Sequence, residues 1–468
     1  MKTPPLLPLV LLLVGAAGCS IAAQARSGRP PLESEGEVYL YVAPFPREAG
    51  GLSFTLASVG VSGGQGTLAP MELVQPSLEG GSFASARLLA IGRLPPGEYV
   101  GFAVTAAKAS KDGAGKATLA VPIDPTRTPF RFRVAARRAT LVELALDLGA
   151  ATAGGGFTPA FTASIPAKTP WQLVGYTSNS AWSSLTVFDK RTRVVTDVVA
   201  TGREPLGMAL EPRANRLYVA LAGDDALAVV DVAAGEPVNR INLQAGDRPR
   251  DLVALSDGTL LVVNTGTRTA SFVDPVSSQI LARVPVGDQP WSITLDRRQP
   301  RAYVMNRWSN NVTVIDVSNR TVVATIPTGP EPLWAQPNRA GTRLYLLCAG
   351  SPYMDVLTLP GLTVATRVYV GLGASALRVD PRSDLVYVAM AGEHRVRAFE
   401  PYSLLPVDEF AVPAPVSFLA IDELDNTLIA LLSGRNGVAV IDLTSRRVLA
   451  ELDVGADPNQ VVLASGNR

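Results

Sequence analysis

The chain has 468 residues, 47% of them hydrophobic, with 42 basic against 41 acidic side chains and a net charge of +1. That length and apolar share supply the cores of two domains, and the balanced charge excludes a global field that would collect nucleic-acid phosphates. Two cysteines and a single histidine, His394, exclude a disulfide framework, a histidine-rich metal centre and haem attachment through Cys-x-x-Cys-His.

At the N-terminus, Lys2 precedes an apolar run over residues 6–14 and the small residues Gly15-Ala-Ala-Gly18, the layout of a secretory signal peptide over residues 1–18. The run is too short and too interrupted by proline to span a membrane. Ala16-Ala-Gly-Cys19 resembles the bacterial lipobox, with alanine in place of the commoner leucine at its first position. The resemblance implies lipidation of Cys19 and attachment to a membrane. With Ser20 following, it implies an outer-membrane lipoprotein that faces the periplasm or the cell surface. Residues 19–35 are small, polar and basic, the composition of a tether. Cys348, which follows the apolar Leu344-Tyr-Leu-Leu, is then left without a partner and reads as a buried core residue.

From residue 36 to 149 the pattern alternates apolar and polar side chains. Glu37-Val-Tyr-Leu-Tyr-Val, Leu52-Ser-Phe-Thr-Leu, Ala86-Arg-Leu-Leu-Ala-Ile, Glu98-Tyr-Val-Gly-Phe-Ala-Val, Phe130-Arg-Phe-Arg-Val and Thr140-Leu-Val-Glu-Leu-Ala-Leu read as the strands of a β-sandwich. With its Leu94-Pro-Pro-Gly-Glu-Tyr turn, the stretch resembles the sandwich domains of exported bacterial proteins, including uncharacterised lipoprotein domains with a similar turn. Residues 150–169, with Gly154-Gly-Gly156, read as an interdomain linker.

Residues 170–468 repeat. Gly202, Gly246, Gly287, Gly329, Gly371 and Gly455 are spaced by 44, 41, 42, 42 and 84 residues, and Pro413 stands where the last interval lacks its glycine. Each unit holds a Gly-x-x-Pro-like turn and four short apolar, β-branched segments. Six units are complete. A seventh takes three strands from residues 171–200 and its first strand from residues 459–463, so the ring closes through the C-terminal strand. The fold class is all-β: an N-terminal β-sandwich followed by a seven-bladed β-propeller. Asp189, Asp231, Asp274, Asp316, Glu400 and Asp442 recur at one phase, with Thr358 as the exception, and so read as turn formers and not as a catalytic or metal-binding set.

Leu217-Tyr-Val-Ala, Ala302-Tyr-Val-Met-Asn, Leu344-Tyr-Leu-Leu and Val386-Tyr-Val-Ala, each followed by a Val-x-Val-x-Asp-like strand, resemble the bacterial YVTN-type propeller repeat. Leu260-Leu-Val-Val-Asn and Leu428-Ile-Ala-Leu depart from it by lacking the tyrosine. The resemblance implies a rigid binding or scaffold module.

The chain has no Walker loop or Rossmann fingerprint, and no catalytic residue, cofactor or metal is expected. His394 lies in Gly392-Glu-His-Arg395 and reads as a solvated loop residue. On the face that carries the Gly-x-x-Pro turns, seven arginines, among them Arg250 and Arg307, meet seven acids, which implies mixed polar recognition and no nucleic acid. Trp291, Trp308, Trp334 and Tyr353, with Asn306, Arg307 and Arg250 as polar neighbours, are expected to form one patch near the channel mouth for a protein, peptide or glycan partner. A propeller lactonase of the envelope and a structural subunit supporting a redox enzyme remain the alternatives.

Overall fold

A computed structural model describes residues 28–64, 66–81, 85–112 and 116–464. The expected signal segment and Cys19 lie outside the described residues. From Arg29 onward the stretch expected as a tether is tied down. The Arg29 amide donates to the Ala181 carbonyl at 2.7 Å, its guanidinium pairs with Glu37 at 3.0 Å, and Arg137 Nε donates to the Glu33 carbonyl at 2.7 Å.

The sandwich consists of two sheets. In one, Gly36–Val42 is central, parallel to Ala139–Leu146 and antiparallel to Arg87–Leu94; in the other, the long strands Leu52–Gly63 and Gly97–Asp112 pair with each other. Sequence alternation located these long strands. It missed the short edge strands, including Phe161–Ser164, which pairs with Ala139–Leu146. A helical turn, Leu148–Thr152, and that edge strand occupy much of the expected linker, so the sandwich runs on to Ser164.

The propeller has seven four-stranded antiparallel sheets. Blade 1 combines Val174–Asn179, Ser184–Asp189 and Val194–Ala200 with the C-terminal strand Pro458–Leu463, which pairs antiparallel with Val174–Asn179 as the innermost member. Blades 2 to 7 are contiguous and begin at Pro205–Glu211, Pro249–Ala254, Pro290–Leu295, Pro332–Pro337, Ala374–Val379 and Val416–Asp422. The upper face carries the turns between blades and the loops between second and third strands. Apolar clusters between neighbouring blades, such as Leu261, Val263 and Phe272 with Ile293, Ala302 and Val304, hold the ring together.

The rhythm has a packing cause. A Cβ on Gly287 would lie 2.7 Å from Asn306 Cβ, and one on Gly455 at 2.7 Å from Asn179 Cβ, so the turn glycine makes room for the end of the blade's second strand. That asparagine is itself structural. Asn179, Asn264 and Asn306 are fully buried, and each donates its amide to two side chains of the next strand, Asn306 to Asn311 at 2.7 Å and Thr313 at 2.8 Å. The phase-locked acids are turn formers as well. Asp231, Asp316, Glu400 and Asp442 each accept two backbone N–H groups two and three residues on, which hold these carboxyls below their ordinary range.

The sandwich docks on the rim of the ring at blades 1 and 7. Alternation along Gly36–Val42 sends Val38, Leu40 and Val42 into the sandwich core and Tyr39 and Tyr41 outward against Phe188, Val195, Val198 and Leu452. The Tyr41 hydroxyl donates to the Asp453 carbonyl at 3.1 Å, while the Asp453 carboxylate accepts Arg87 Nε at 2.8 Å and the Leu88 amide at 3.0 Å. The N-terminal domain thus braces the blade where the two ends of the propeller meet.

Candidate functional site

The upper face is built on locked turns. In the turns before Pro205, Pro249, Pro290, Pro332 and Pro458, a non-glycine residue takes a left-handed φ between 47° and 55°: Glu204, Arg248, Gln289, Glu331 and Asp457. Such a conformation costs on the order of 1 kcal/mol per residue. It recurs because the turn carbonyls accept from the loop that rises beside them. In blade 4 the Gln289 carbonyl accepts the Arg307 amide at 3.0 Å and the Asp288 carbonyl accepts the Trp308 amide at 3.2 Å. Arg307 and Trp308 therefore stand on a rigid double turn.

Trp308 is 65% exposed. Its phase is filled by Gly223, Gly266, Gly350, Gly392 and Gly434 in the other contiguous blades, so a large apolar ring replaces a glycine at one point of the rim. Tyr353, 42% exposed, packs edge to face on Tyr369 with centroids 5.7 Å apart, and Tyr369 and Leu372 are 66% and 72% exposed. The upper rim of blades 4 to 6 thus displays four large apolar groups, two of which, Tyr369 and Leu372, sequence reasoning passed over. A signal was available for Leu372, which stands in Gly371-Leu-Gly373 where three other blades place the charged residues Arg203, Asp247 and Asp288.

The structure separates the remaining candidates. Trp291 lies between two guanidinium groups, with Arg250 Cζ 3.4 Å and Arg307 Cζ 4.7 Å from its ring centroid. Arg307 is also held by Glu331 at 2.6 Å. Of the seven rim arginines, Arg250 stacks on an indole where the other six pair with carboxylates; burial pushes its guanidinium down to about 10. Trp334 is not in register with Trp291. It stands one residue further into its strand, so it turns into the central channel, where its indole N–H donates to the Ser375 carbonyl at 3.0 Å and its ring meets Phe418 at 5.4 Å. Asn306 contributes nothing to the surface, being spent on Asn311 and Thr313. The expected single patch is thus three features: an exposed aromatic rim with Trp308 and Tyr353, an Arg-Trp-Arg stack, and an indole within the channel.

His394 occupies the left-handed position of its loop, with φ 50°, and is exposed. Among the described residues no group of three or more His, Cys, Asp or Glu is placed to hold a metal ion. Cys348 is buried beneath the turn of blade 5, and burial pushes its thiol up to about 12.

The model of the YNCE-like beta-propeller family matches residues 185–337, from the middle of blade 1 into blade 5. Among solved structures, the chain is similar to Kuenenia stuttgartiensis hydrazine synthase with a TM-score of 0.53 and 18% identity, over 59% of this chain and 94% of that one. No curated protein matches it. At that identity the likeness concerns the fold, and with the family match and the seven sheets it makes this a β-propeller protein.

Proposed function

We propose that this protein is a non-catalytic binding scaffold of the cell envelope, exported and held to a membrane through lipidated Cys19, and that the upper rim of blades 4 to 6 recognises a protein, peptide or glycan partner. The observation that carries the reading is Trp308, an exposed tryptophan on a hydrogen-bonded double turn at a phase that the other contiguous blades give to glycine. An aromatic anchor held rigid before binding loses little entropy when it is covered, which is why such residues dominate interface energies. The Arg-Trp-Arg stack beside it adds planar donors for carbonyl or hydroxyl groups. The propeller fold itself agrees with a binding or scaffold role.

The test has two arms. Cys19→Ser should move the protein from the membrane fraction to the soluble envelope fraction. In peptide and glycan arrays probed with the mature protein, Trp308→Ala should weaken the strongest hits at least tenfold, about 1.4 kcal/mol, at an unchanged melting temperature. Hits that persist at full strength in Trp308→Ala would overturn the binding face, and an unmodified Cys19 would overturn the anchor.

A further inference from the structure

The ring encloses a cavity of about 880 Å3, within the size range that small-molecule sites occupy. Its uppermost lining residues are Trp334 and Phe418, edge to face, with Asp251 and Gln460 beside them. The residues directly after the turn positions, Arg250 and Trp291 among them, do not line it. Downward it passes Val253, Thr294, Leu377 and Val462 and reaches the lower loops at Arg297, Arg382 and Glu423.

The lower lining holds more cationic groups than its carboxylates engage. Asp296 accepts the Tyr303 hydroxyl at 2.6 Å and the Arg298 amide at 2.7 Å, so its own turn absorbs it. Asp422 pairs with Lys190 at 2.9 Å. Arg297, Arg378 and Arg382 form no ion pair among the described residues, which leaves Glu423 as the acid that attracts Arg378 while Arg297 repels it. Arg378 belongs to the innermost strand of blade 6, at a phase that other blades fill with Ala209, Val253, Thr294, Gln336, Ala420 and Val462. Among the described residues its Nε is buried without a hydrogen-bond partner. Burial and the Arg297 charge both act to lower its pKa. A buried guanidinium without an ion pair, repelled by a second guanidinium, is costly unless an anion completes the site.

We infer that the central channel binds a small organic anion with a planar apolar body, Arg378 and Arg297 holding the anionic group at the lower end and Trp334 and Phe418 receiving the ring above it. The dimensions agree: Arg378 lies two residues further down its strand than the level of Trp334, about 7 Å at the rise of a β-strand, which is the span of a fused aromatic acid. A guanidinium recognises carboxylate or phosphate through paired N–H donors, and the indole supplies a face for the body. The site is separate from the aromatic rim on the upper face and does not depend on it.

Calorimetric titration of the mature full-length protein with 2-naphthoate, 1-naphthyl phosphate and neutral 2-naphthol tests the inference. At least one anion should bind tenfold or more tightly than 2-naphthol, and the preferred anion tells carboxylate from phosphate. Arg378→Gln and Arg297→Gln should each weaken that anion at least tenfold. Arg297 is exposed at the mouth, so its variant keeps the test valid if Arg378→Gln folds poorly. Equal affinity for 2-naphthol, no binding of any probe, or a loss confined to Arg250→Gln on the upper face would each overturn the inference.

Discussion

The two ends of the central channel treat their polar side chains in opposite ways. At the upper end nearly every one reaches across to the next blade. Ser292 donates to the Leu333 carbonyl at 2.6 Å, the Asp251 carboxylate accepts the Ile293 amide at 3.1 Å, and Gln460 meets Asp251 at 3.4 Å. At the lower end Lys190 forms an ion pair with Asp422, while Arg378 has no ion pair and its buried Nε has no hydrogen-bond partner among the described residues. Polar groups that stitch innermost strands together belong to the architecture. Those the fold leaves uncommitted are where a ligand has something to complete.

The sharpest break in that comparison comes from the satisfied pair. Lys190 and Asp422 are nearly inaccessible, and the Lys190 ammonium also donates to the Ala464 carbonyl at 2.6 Å, so blade 1, blade 7 and the closing strand meet at one charge. Asp422→Ala would leave that ammonium buried with a single carbonyl. A loss of about 3–5 kcal/mol is expected, read as a lower urea midpoint at constant slope. A loss below about 1 kcal/mol would mean that the pair does not hold the seam.

Next in size is a pH effect from the upper end. Burial pushes the Asp251 carboxyl up from near 3.8 to about 6 despite the two backbone amides it accepts. The folded state therefore binds a proton more tightly than the unfolded chain does between about pH 4 and 6. Over that window the Asp251 contribution to stability falls as pH rises, on the order of 3 kcal/mol in total, and is constant above it. Asp251→Asn cannot titrate, so its stability relative to wild type should rise across the same window. Parallel stability curves from pH 4 to 7 would show that Asp251 titrates normally and that the upper end is wetter than its geometry implies.

Much of this was legible in the sequence, for reasons that differ by region. The blades were, because four short strands and a glycine turn impose a period that no single substitution hides, and the closing strand followed from counting phases. The phase argument that assigned Asp231 and Asp316 to turns applies equally to Asn179, Asn264 and Asn306, and taking Asn306 as a surface neighbour overlooked it. Trp291 and Trp334 both follow a Gly-x-x-Pro turn, yet a shift of one residue at the bulge there separates an arginine stack from the channel wall. The docking of the sandwich was written in Val194–Ala200, more apolar than the exposed fourth strands Thr321–Pro327 and Thr363–Tyr369. Reading it required knowing that fourth strands face outward. Arg378 stood as the one charged residue in an otherwise uncharged column of the aligned blades, but which columns face the channel is settled by the twist of the sheets, not by the repeat.

The smallest expected effect lies with that arginine, and its sign is what matters. Arg378 has intermediate exposure because its head looks into the channel, while protein surrounds its stem and Nε. If it were a structural residue like Asp251 or Lys190, truncating its charge would cost several kcal/mol, as for any buried group whose partners are left behind. If it is uncommitted, Arg378→Met removes a desolvated charge and its repulsion from Arg297, keeps the length of the apolar stem, and strands no partner. The expected outcome is a urea midpoint that is unchanged or raised, by up to about 1 kcal/mol, at the same slope. A loss above about 1.5 kcal/mol would show that the fold uses Arg378, and the contrast between the two ends of the channel would collapse.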